Sequence, residues 1–275
     1  MAQRPELNAR LDHVCLTSPD PERLARYVAK FYGLDIRHEH RSWICEAPGC
    51  TLIVQEGASN QSPYVSFCLL PDSLRRVYDR CLQAGLRTQA SPSPLTPGGQ
   101  AITDPDGHLI VFAIARATRV EGAKGFRRLQ HLAFRTPQIE SMLQFYCEIG
   151  FVLSDRVEDE NGALRACFLR TDEEHHALAL FAADVSRFDH LSCETSDVAQ
   201  LIAWADRTAN EGMCVHWGVG RHGPGNDLFF MVQDPDGNLL EISTEIERCA
   251  ADRAVGTWKH EQRTLNLWGN ALLRS

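Results

Sequence analysis

Two histidines and one glutamate in the second half of the chain are of the types that bind a metal ion. His131 lies in "RLQHLAF", His190 in "RFDHLSC" and Glu241 in "NLLEIST". Each stretch is strand-like, and side chains two residues apart in a strand share a face. If the strands belong to one curved sheet, the three side chains can point into its concavity. Two imidazoles and one carboxylate leave one face of an octahedral metal open, as in non-haem Fe(II) sites.

The alternation also predicts which neighbours share a face with each candidate ligand: Leu129 and Ala133 with His131, Phe188 and Ser192 with His190, and Leu239 and Ser243 with Glu241. A histidine in a strand is more often a hydrogen-bonded core residue than a ligand, and a lone glutamate after a turn is usually exposed. The metal interpretation is favoured because both histidines occupy the fourth position of a similar strand. A buried carboxylate is also costly unless it is paired or bound to a metal.

Internal repeats place these residues in equivalent elements. "RLDHVCLT" returns in the second half as "RLQHLAFR", and "ITDPDGHLIVF" returns as "VQDPDGNLLEI". The sequence Asp-Pro-Asp-Gly is typical of a turn, so each of its two copies predicts a hairpin. In the first hairpin, Val111 holds the position of Glu241. The fold therefore accepts a hydrophobe at this position, which favours a functional role for the glutamate.

Each half repeats once more, which predicts an α+β architecture with a curved sheet in each half. The unit is a strand, a helix and three strands, and its four copies cover about 11–57, 62–115, 129–182 and 187–244. The polar segment 116–126 is a plausible linker. We therefore expect three regions, listed in chain order: an N-terminal domain without metal at 1–118, a catalytic domain at 127–245, and a tail at 246–275 that packs on the catalytic domain or on a neighbouring subunit.

Composition narrows the class of protein. The chain has 275 residues, 44% hydrophobic and 23% charged, with a net charge of -8, as in a soluble globular protein without a nucleic-acid surface. No apolar run is long enough for a bilayer, and the start has no apolar segment of signal-peptide type. The ten cysteines include no Cys-x-x-Cys pair. We therefore expect a cytoplasmic protein with reduced thiols.

The stretch "GRHGPGNDLFFMVQDPDGNLLE" at 220–241 is the most specific feature of the chain. It resembles the signature of the type I extradiol ring-cleaving dioxygenases, the catechol and dihydroxybiphenyl 2,3-dioxygenase group of the vicinal oxygen chelate superfamily. The resemblance covers about residues 10–245 and implies four βαβββ modules in two tandem domains, the glyoxalase-like fold. One position departs from the signature, because Met231 replaces the family tyrosine.

The resemblance implies that the two histidines and the glutamate bind Fe(II), with Mn(II) as an alternative ion. The second half would then be catalytic and the first half a metal-free relative. The first half agrees with this, since it keeps His13 but has Ser66 and Val111 at the other two places.

The resemblance also assigns residues to catalysis and substrate binding. His176 in "EEHHALALF" matches the family's acid–base residue, although from the residues alone His175 and His176 could equally be a polar pair at a strand start. His222 matches a histidine that lines the same pocket and can hydrogen-bond substrate or oxygen. Met231 would contact substrate, but a thioether cannot donate a hydrogen bond as tyrosine does.

These expectations imply extradiol cleavage of a catechol-type aromatic with O2, in aromatic catabolism, by a homo-oligomer. Two other classes stay open. A glyoxalase-like isomerase or lyase typically brings more carboxylate to Zn(II) or Ni(II). A binding or resistance protein without metal would not need the three candidate ligands together.

Overall fold

Residues 7–115 and 126–272 are described by the structure, which is a computed structural model. The expected linker at 116–126 lies outside the described residues except for Phe126. None of the helices in the described ranges is long and apolar enough to cross a membrane.

The first half forms one mixed sheet of eight strands with two helices. Its elements in chain order are β1 (Arg10–Ser18), α1 (Pro21–Tyr32), β2 (Asp35–Glu39), β3 (Ser42–Ala47), β4 (Cys50–Glu56), β5 (Gln61–Leu69), α2 (Pro71–Gln83), β6 (Gln89–Ala90), β7 (Gln100–Thr103) and β8 (Leu109–Ile114). The strand order is β2-β3-β4-β1-β5-β8-β7-β6. The two modules therefore meet at the antiparallel pair of β1 and β5.

The second half repeats this plan and adds the tail. Its elements are β9 (Phe126–Thr136), α3 (Ile139–Glu148), β10 (Val152–Glu158), β11 (Leu164–Arg170), β12 (Leu178–Ala182), β13 (Arg187–Thr195), α4 (Val198–Asn210), β14 (Trp217–Arg221), β15 (Leu228–Gln233), β16 (Leu239–Thr244), β17 (Gly256–Lys259) and α5 (Gln262–Leu265). The order is β14-β15-β16-β13-β9-β12-β11-β10-β17. The four modules confirm the predicted α+β fold, and the tail adds β17 beside β10.

Reciprocal contacts join the two halves. Tyr32 of α1 donates a hydrogen bond to the backbone carbonyl of Glu241 at 3.0 Å, and Tyr146 of α3 donates to Oδ2 of Asp104 at 3.0 Å. The first helix of each half thus contacts the final hairpin of the other half. Tyr32 and Tyr146 both belong to one hydrophobic core that contains residues of both sheets. The first half therefore supports the strand that carries Glu241.

Both Asp-Pro-Asp-Gly turns have the same construction. In the second turn, Oδ1 of Asp234 accepts hydrogen bonds from the backbone N–H groups of Asp236 and Asn238, both at 2.9 Å. Gly237 has a φ of 88°, a conformation that residues with a Cβ adopt only at a cost. Asp104 makes equivalent bonds in the first turn. The turn is a shared structural feature and does not distinguish the halves.

The predicted faces need a correction on both histidine strands. The β9–β13 register shifts between Ser192 and Cys193 and again between Phe188 and His190, which indicates β-bulges. Leu129 and Phe188 therefore pack in the core shared by the two halves, away from the cluster that contains Ala133 and Leu239. The prediction from strict alternation was wrong here because one extra residue in a strand moves all side chains beyond it to the opposite face of the sheet. No shift interrupts the pairing of β15 with β16.

The equivalent concave surface of the first half is filled by hydrophobic side chains. Val111, Ile44, Ile53 and Tyr64 are buried in one small cluster there. Nε2 of His13 lies 2.6 Å from Oγ of Ser93, so this histidine has a protein partner on that side. The surroundings of Val111 are those of an ordinary core position.

Candidate metal centre

Three neighbouring strands bring the predicted ligands together. Ser192 on β13 pairs with His131 on β9 at one side and with Glu241 on β16 at the other. His190 lies two residues before Ser192 and points to the same surface. One nitrogen of each imidazole and one oxygen of Glu241 all lie within 4.8 Å of one another, and all three residues are buried.

The residue that precedes each of these histidines fixes its ring. Nδ1 of His190 donates to Oδ1 of Asp189 at 2.6 Å, and Nδ1 of His131 donates to Oε1 of Gln130. The amide of Gln130 donates to the backbone carbonyl of His176 at 2.8 Å, so its oxygen is the side that faces His131. Such partners set the tautomer and orientation of histidine ligands. In neutral rings held this way, both Nε2 atoms carry lone pairs.

The donor set fits a divalent cation. Nε2 of His131 lies 3.1 Å from Nε2 of His190 and 3.5 Å from Oε1 of Glu241. Among the described residues, none makes a regular hydrogen bond with either carboxylate oxygen of Glu241, although the residue is fully buried. Two imidazole lone pairs and a carboxylate at these distances repel unless a cation lies among them. Nitrogen and oxygen donors of this kind suit iron or manganese.

The ionisation of Glu241 agrees with this. Burial raises the pKa of its carboxyl, but the imidazoles of His222 and His190 outweigh that effect and leave the pKa below its ordinary value. The side chain is therefore a carboxylate, which is the form that binds metal.

His176 lies in the segment just before β12 and lines the cavity beside the candidate ligands. Its ring centroid is 4.4 Å from that of His131 and 5.1 Å from that of Phe168. Burial lowers the pKa of His176 well below its ordinary value, and the nearby imidazoles lower it further. The ring is thus uncharged and able to accept a proton. His175 does not line the cavity.

His222 lies opposite, between β14 and β15. Nδ1 donates to the backbone carbonyl of Leu265 at 2.6 Å, and the ring stacks on Phe229 with centroids 3.7 Å apart. Nε2 lies 3.5 Å from Oε2 of Glu241. Burial lowers the pKa of His222, but the carboxylates of Asp227 and Glu241 outweigh it, so that the pKa is raised overall.

The wall of the cavity is mostly apolar. Its apolar lining comes from β11, β12, β14, β15, the segment between β14 and β15, and the tail: Phe168, Phe181, Trp217, Pro224, Met231 and Leu265. Met231 is fully buried and is the cross-strand neighbour of Glu241. The predicted site residues His131, His176, His190, His222 and Met231 all line this cavity. Leu265 shows that the tail completes it.

Sequence reasoning missed three polar residues of the site. Gln130 and Asp189 could have been found from the sequence. Each directly precedes a histidine, as Asp12 precedes His13 in the first half, so a polar residue before the histidine recurs in the repeats. Asp227, next to His222 and Glu241, had no such signal. Its carboxyl is fully buried and makes no regular hydrogen bond within residues 7–115 and 126–272, and burial raises its pKa to about 7.

Comparison with known proteins agrees with this fold. Residues 128–242 match the model of the Glyoxalase/Bleomycin resistance protein/Dioxygenase superfamily. Metapyrocatechase 2 of Cupriavidus necator is 28% identical over 287 residues, which cover 94% of this chain and 88% of that protein.

Solved structures share the fold. Homoprotocatechuate 2,3-dioxygenase from Brevibacterium fuscum, in complex with 3,4-dihydroxyphenylacetate, aligns with a TM-score of 0.81 at 20% identity and covers 100% of this chain and 92% of its own. The Mn(II)-bound glyoxalase from Novosphingobium aromaticivorans also aligns at 0.81, with 21% identity over 94% of this chain and 90% of its own. The expected resemblance is confirmed by the superfamily model, which matches residues 128–242, and by the similarity of most of the chain to metapyrocatechase 2.

Proposed function

We propose that this chain is an Fe(II)-dependent extradiol dioxygenase that opens a catechol-type ring beside its hydroxyl groups with O2. The observation that carries the proposal is the cluster of His131, His190 and Glu241, whose two histidines line an apolar cavity. The relationship to metapyrocatechase 2, which spans most of both chains, supports this activity.

The three ligands determine the charge of the site. Fe(II) held by two neutral imidazoles and Glu241 has a net charge of +1, and a catechol bound as a monoanion brings this to zero. A neutral centre is tolerated in an apolar cavity. The metal, when bound, would hold the catechol and O2 together and pass electron density from the ring to oxygen. Mn(II) suits the same donors.

His176 and His222 supply the proton chemistry and the polar contacts. We infer that His176 takes a proton from a catechol hydroxyl and returns one later, because its uncharged ring lines the cavity beside His131. His222 presents Nε2 to the same space and can hydrogen-bond an oxygen of the substrate or of O2. The apolar walls exclude water and contact the aromatic ring. Both oxygen atoms of O2 would enter a muconic semialdehyde-type product.

The deciding experiment is anaerobic reconstitution with Fe(II), followed by O2 uptake and product spectra with a panel of catechols. We expect one O2 consumed per ring opened. Glu241→Ala should lose iron and activity, whereas Val111→Ala, at the equivalent position of the first half, should keep both. A protein that retains Zn(II) or Ni(II), consumes no O2 and isomerises a hemithioacetal would instead be a glyoxalase-like enzyme. Retention of no metal would indicate a binding protein.

We also propose a cytoplasmic location, a homo-oligomeric state and a role in aromatic catabolism. These follow from the composition and from the resemblance to ring-cleaving dioxygenases.

A further inference from the structure

A line of polar groups runs from the cavity to the tail through two adjacent histidines. Nδ1 of His176 lies 3.0 Å from Nδ1 of His175. On the far side of the second ring, Nε2 of His175 lies 3.1 Å from Oδ2 of Asp155 on β10. Asp155 and His175 are both buried, so neither contact is mediated by bulk water.

Asp155 is fixed as an anion by the tail. Arg253 donates to Oδ1 at 2.9 Å, the backbone N–H of Gly256 donates to Oδ1 at 3.1 Å, and the indole of Trp258 donates to Oδ2 at 2.7 Å. Burial alone would raise the pKa of Asp155, but His175, Arg253 and Trp258 outweigh it and bring the pKa to about 2. The carboxylate is therefore ionised above about pH 4 and accepts hydrogen bonds.

The position of the Asp155 carboxylate determines which nitrogen carries the proton in His175 and, through it, in His176. A carboxylate 3.1 Å from Nε2 favours the proton of His175 on that atom through charge attraction, although the contact does not have the geometry of a regular hydrogen bond. Nδ1 of a neutral His175 then carries a lone pair and can only accept a hydrogen bond. Nδ1 of His176 must donate to it, so the lone pair of a neutral His176 is on Nε2.

Packing keeps the two rings in this arrangement. Phe168 contacts both rings, with centroids 5.9 Å from His175 and 5.1 Å from His176. A Cβ at Gly225 would lie 3.1 Å from Nδ1 of His175 and 3.2 Å from Cε1 of His176. The backbone at Gly225 therefore closes over the contact between the rings, and a side chain there would crowd it.

We propose that His175, held by Asp155, is a positioning residue that fixes the tautomer of His176 so that its Nε2 lone pair is available to the substrate. This rests on the proposed function, in which His176 takes the catechol proton. His175 itself touches neither the substrate nor the candidate metal ligands. A line of carboxylate and histidine that orients a second catalytic group is a familiar device in enzymes that use an imidazole base.

The first test reads the tautomer and does not depend on activity. The full chain is labelled with 15N in its histidines and loaded with diamagnetic Zn(II), and His176→Gln identifies the ring signals. We expect His176 to carry its proton on Nδ1 in the wild type and to lose this preference in His175→Leu. A wild-type His176 protonated on Nε2, or an unchanged tautomer in His175→Leu, would overturn the proposal. The wild-type spectrum decides alone if the variant does not fold.

The second test measures kcat and KM of His175 variants in the Fe(II)-loaded enzyme. His175→Leu should lower kcat by about 10- to 100-fold with KM and iron content close to those of the wild type. His175→Asn should recover much of the loss, because its amide oxygen can occupy the place of Nδ1 and accept from His176. His38→Leu, at an exposed histidine of β2, is the matched control and should have wild-type kinetics.

Equal losses in His175→Leu and His175→Asn, or wild-type kcat in His175→Leu, would show that His175 does not position the base. A wild-type enzyme that binds Fe(II) but consumes no O2 with any catechol contradicts the proposed function instead. The tautomer measurement still judges the role of His175 in that event.

Discussion

Asp189 accepts a hydrogen bond from Nδ1 of His190 at 2.6 Å, and Oδ2 of the same carboxylate accepts from Nε of Arg135 at 2.7 Å. Asp189 and His190 are adjacent in sequence at a β-bulge, where the register of β13 against β9 shifts. The first half has the same arrangement, with Nδ1 of His13 2.6 Å from Oδ2 of Asp12. Both halves therefore orient a strand histidine through the preceding aspartate, whereas only the second half has the other two candidate ligands.

The first prediction uses this pair. Asp189→Ala should weaken binding of Fe(II) or Mn(II) by about 10- to 100-fold, because the ring of His190 loses the partner that fixes its tautomer. Asp12→Ala removes the same contact in the first half and should leave metal affinity unchanged. Metal titration of both variants measures the difference, and equal affinities would contradict the role given to Asp189.

Metal binding should stabilise the protein through Glu241. Its oxygens are buried and make no regular hydrogen bond in the part of the chain that the structure describes, so a bound cation compensates a charge that is otherwise costly. The wild type should gain about 3 kcal/mol of unfolding free energy at a metal concentration 100 times Kd. Glu241→Gln should gain much less. Thermal unfolding with and without Mn(II) tests this, and an equal gain in both proteins would exclude Glu241 as a ligand.

Met231 should determine the preferred ring. Its side chain is apolar and fully buried beside Glu241, where the related dioxygenases are expected to have a tyrosine hydroxyl. Met231→Tyr should raise kcat on small polar catechols and lower it on bulky ones. Met231→Phe adds a ring without the hydroxyl, so the difference between the two variants isolates the hydrogen bond. An unchanged profile across the catechol panel would refute the prediction.

Asp155 should make the free energy of unfolding depend on pH in the acid range. Its pKa is lowered from 3.8 to about 2 in the folded protein, so its contribution is complete above about pH 4 and is lost as the pH falls toward 2. The shift corresponds to about 2 kcal/mol. Asp155→Asn should therefore be less stable than the wild type at pH 7, and the difference should shrink below pH 4. Urea unfolding at several pH values measures it.

A second aspartate variant is the control for that series. Asp184→Asn removes one negative charge at an exposed position and should show no such convergence with the wild type. A difference between Asp155→Asn and the wild type that stays constant down to pH 3 would mean that the neighbours of Asp155 do not stabilise its charge.

The sequence by itself determined the four modules and the candidate ligands. Strand alternation, helix periodicity and the repeated hairpin are local patterns, so they are visible without a structure. The difference between Glu241 and Val111 indicated a functional role for the glutamate because the two halves share a fold and differ in chemistry. The same repeat contained Asp12, Gln130 and Asp189 beside their histidines, but alternation gives neighbouring side chains opposite faces and so concealed their role.

Only the tertiary structure decided how these residues act together. The bulges that move Leu129 and Phe188 into the core depend on the register of β9 against β13, which no local pattern specifies. The contacts of Asp155 with the tail, and of Leu265 with His222, join residues far apart in the chain. Such contacts depend on where long-range packing places each element, so the candidate ligands were readable from the sequence and these contacts were not.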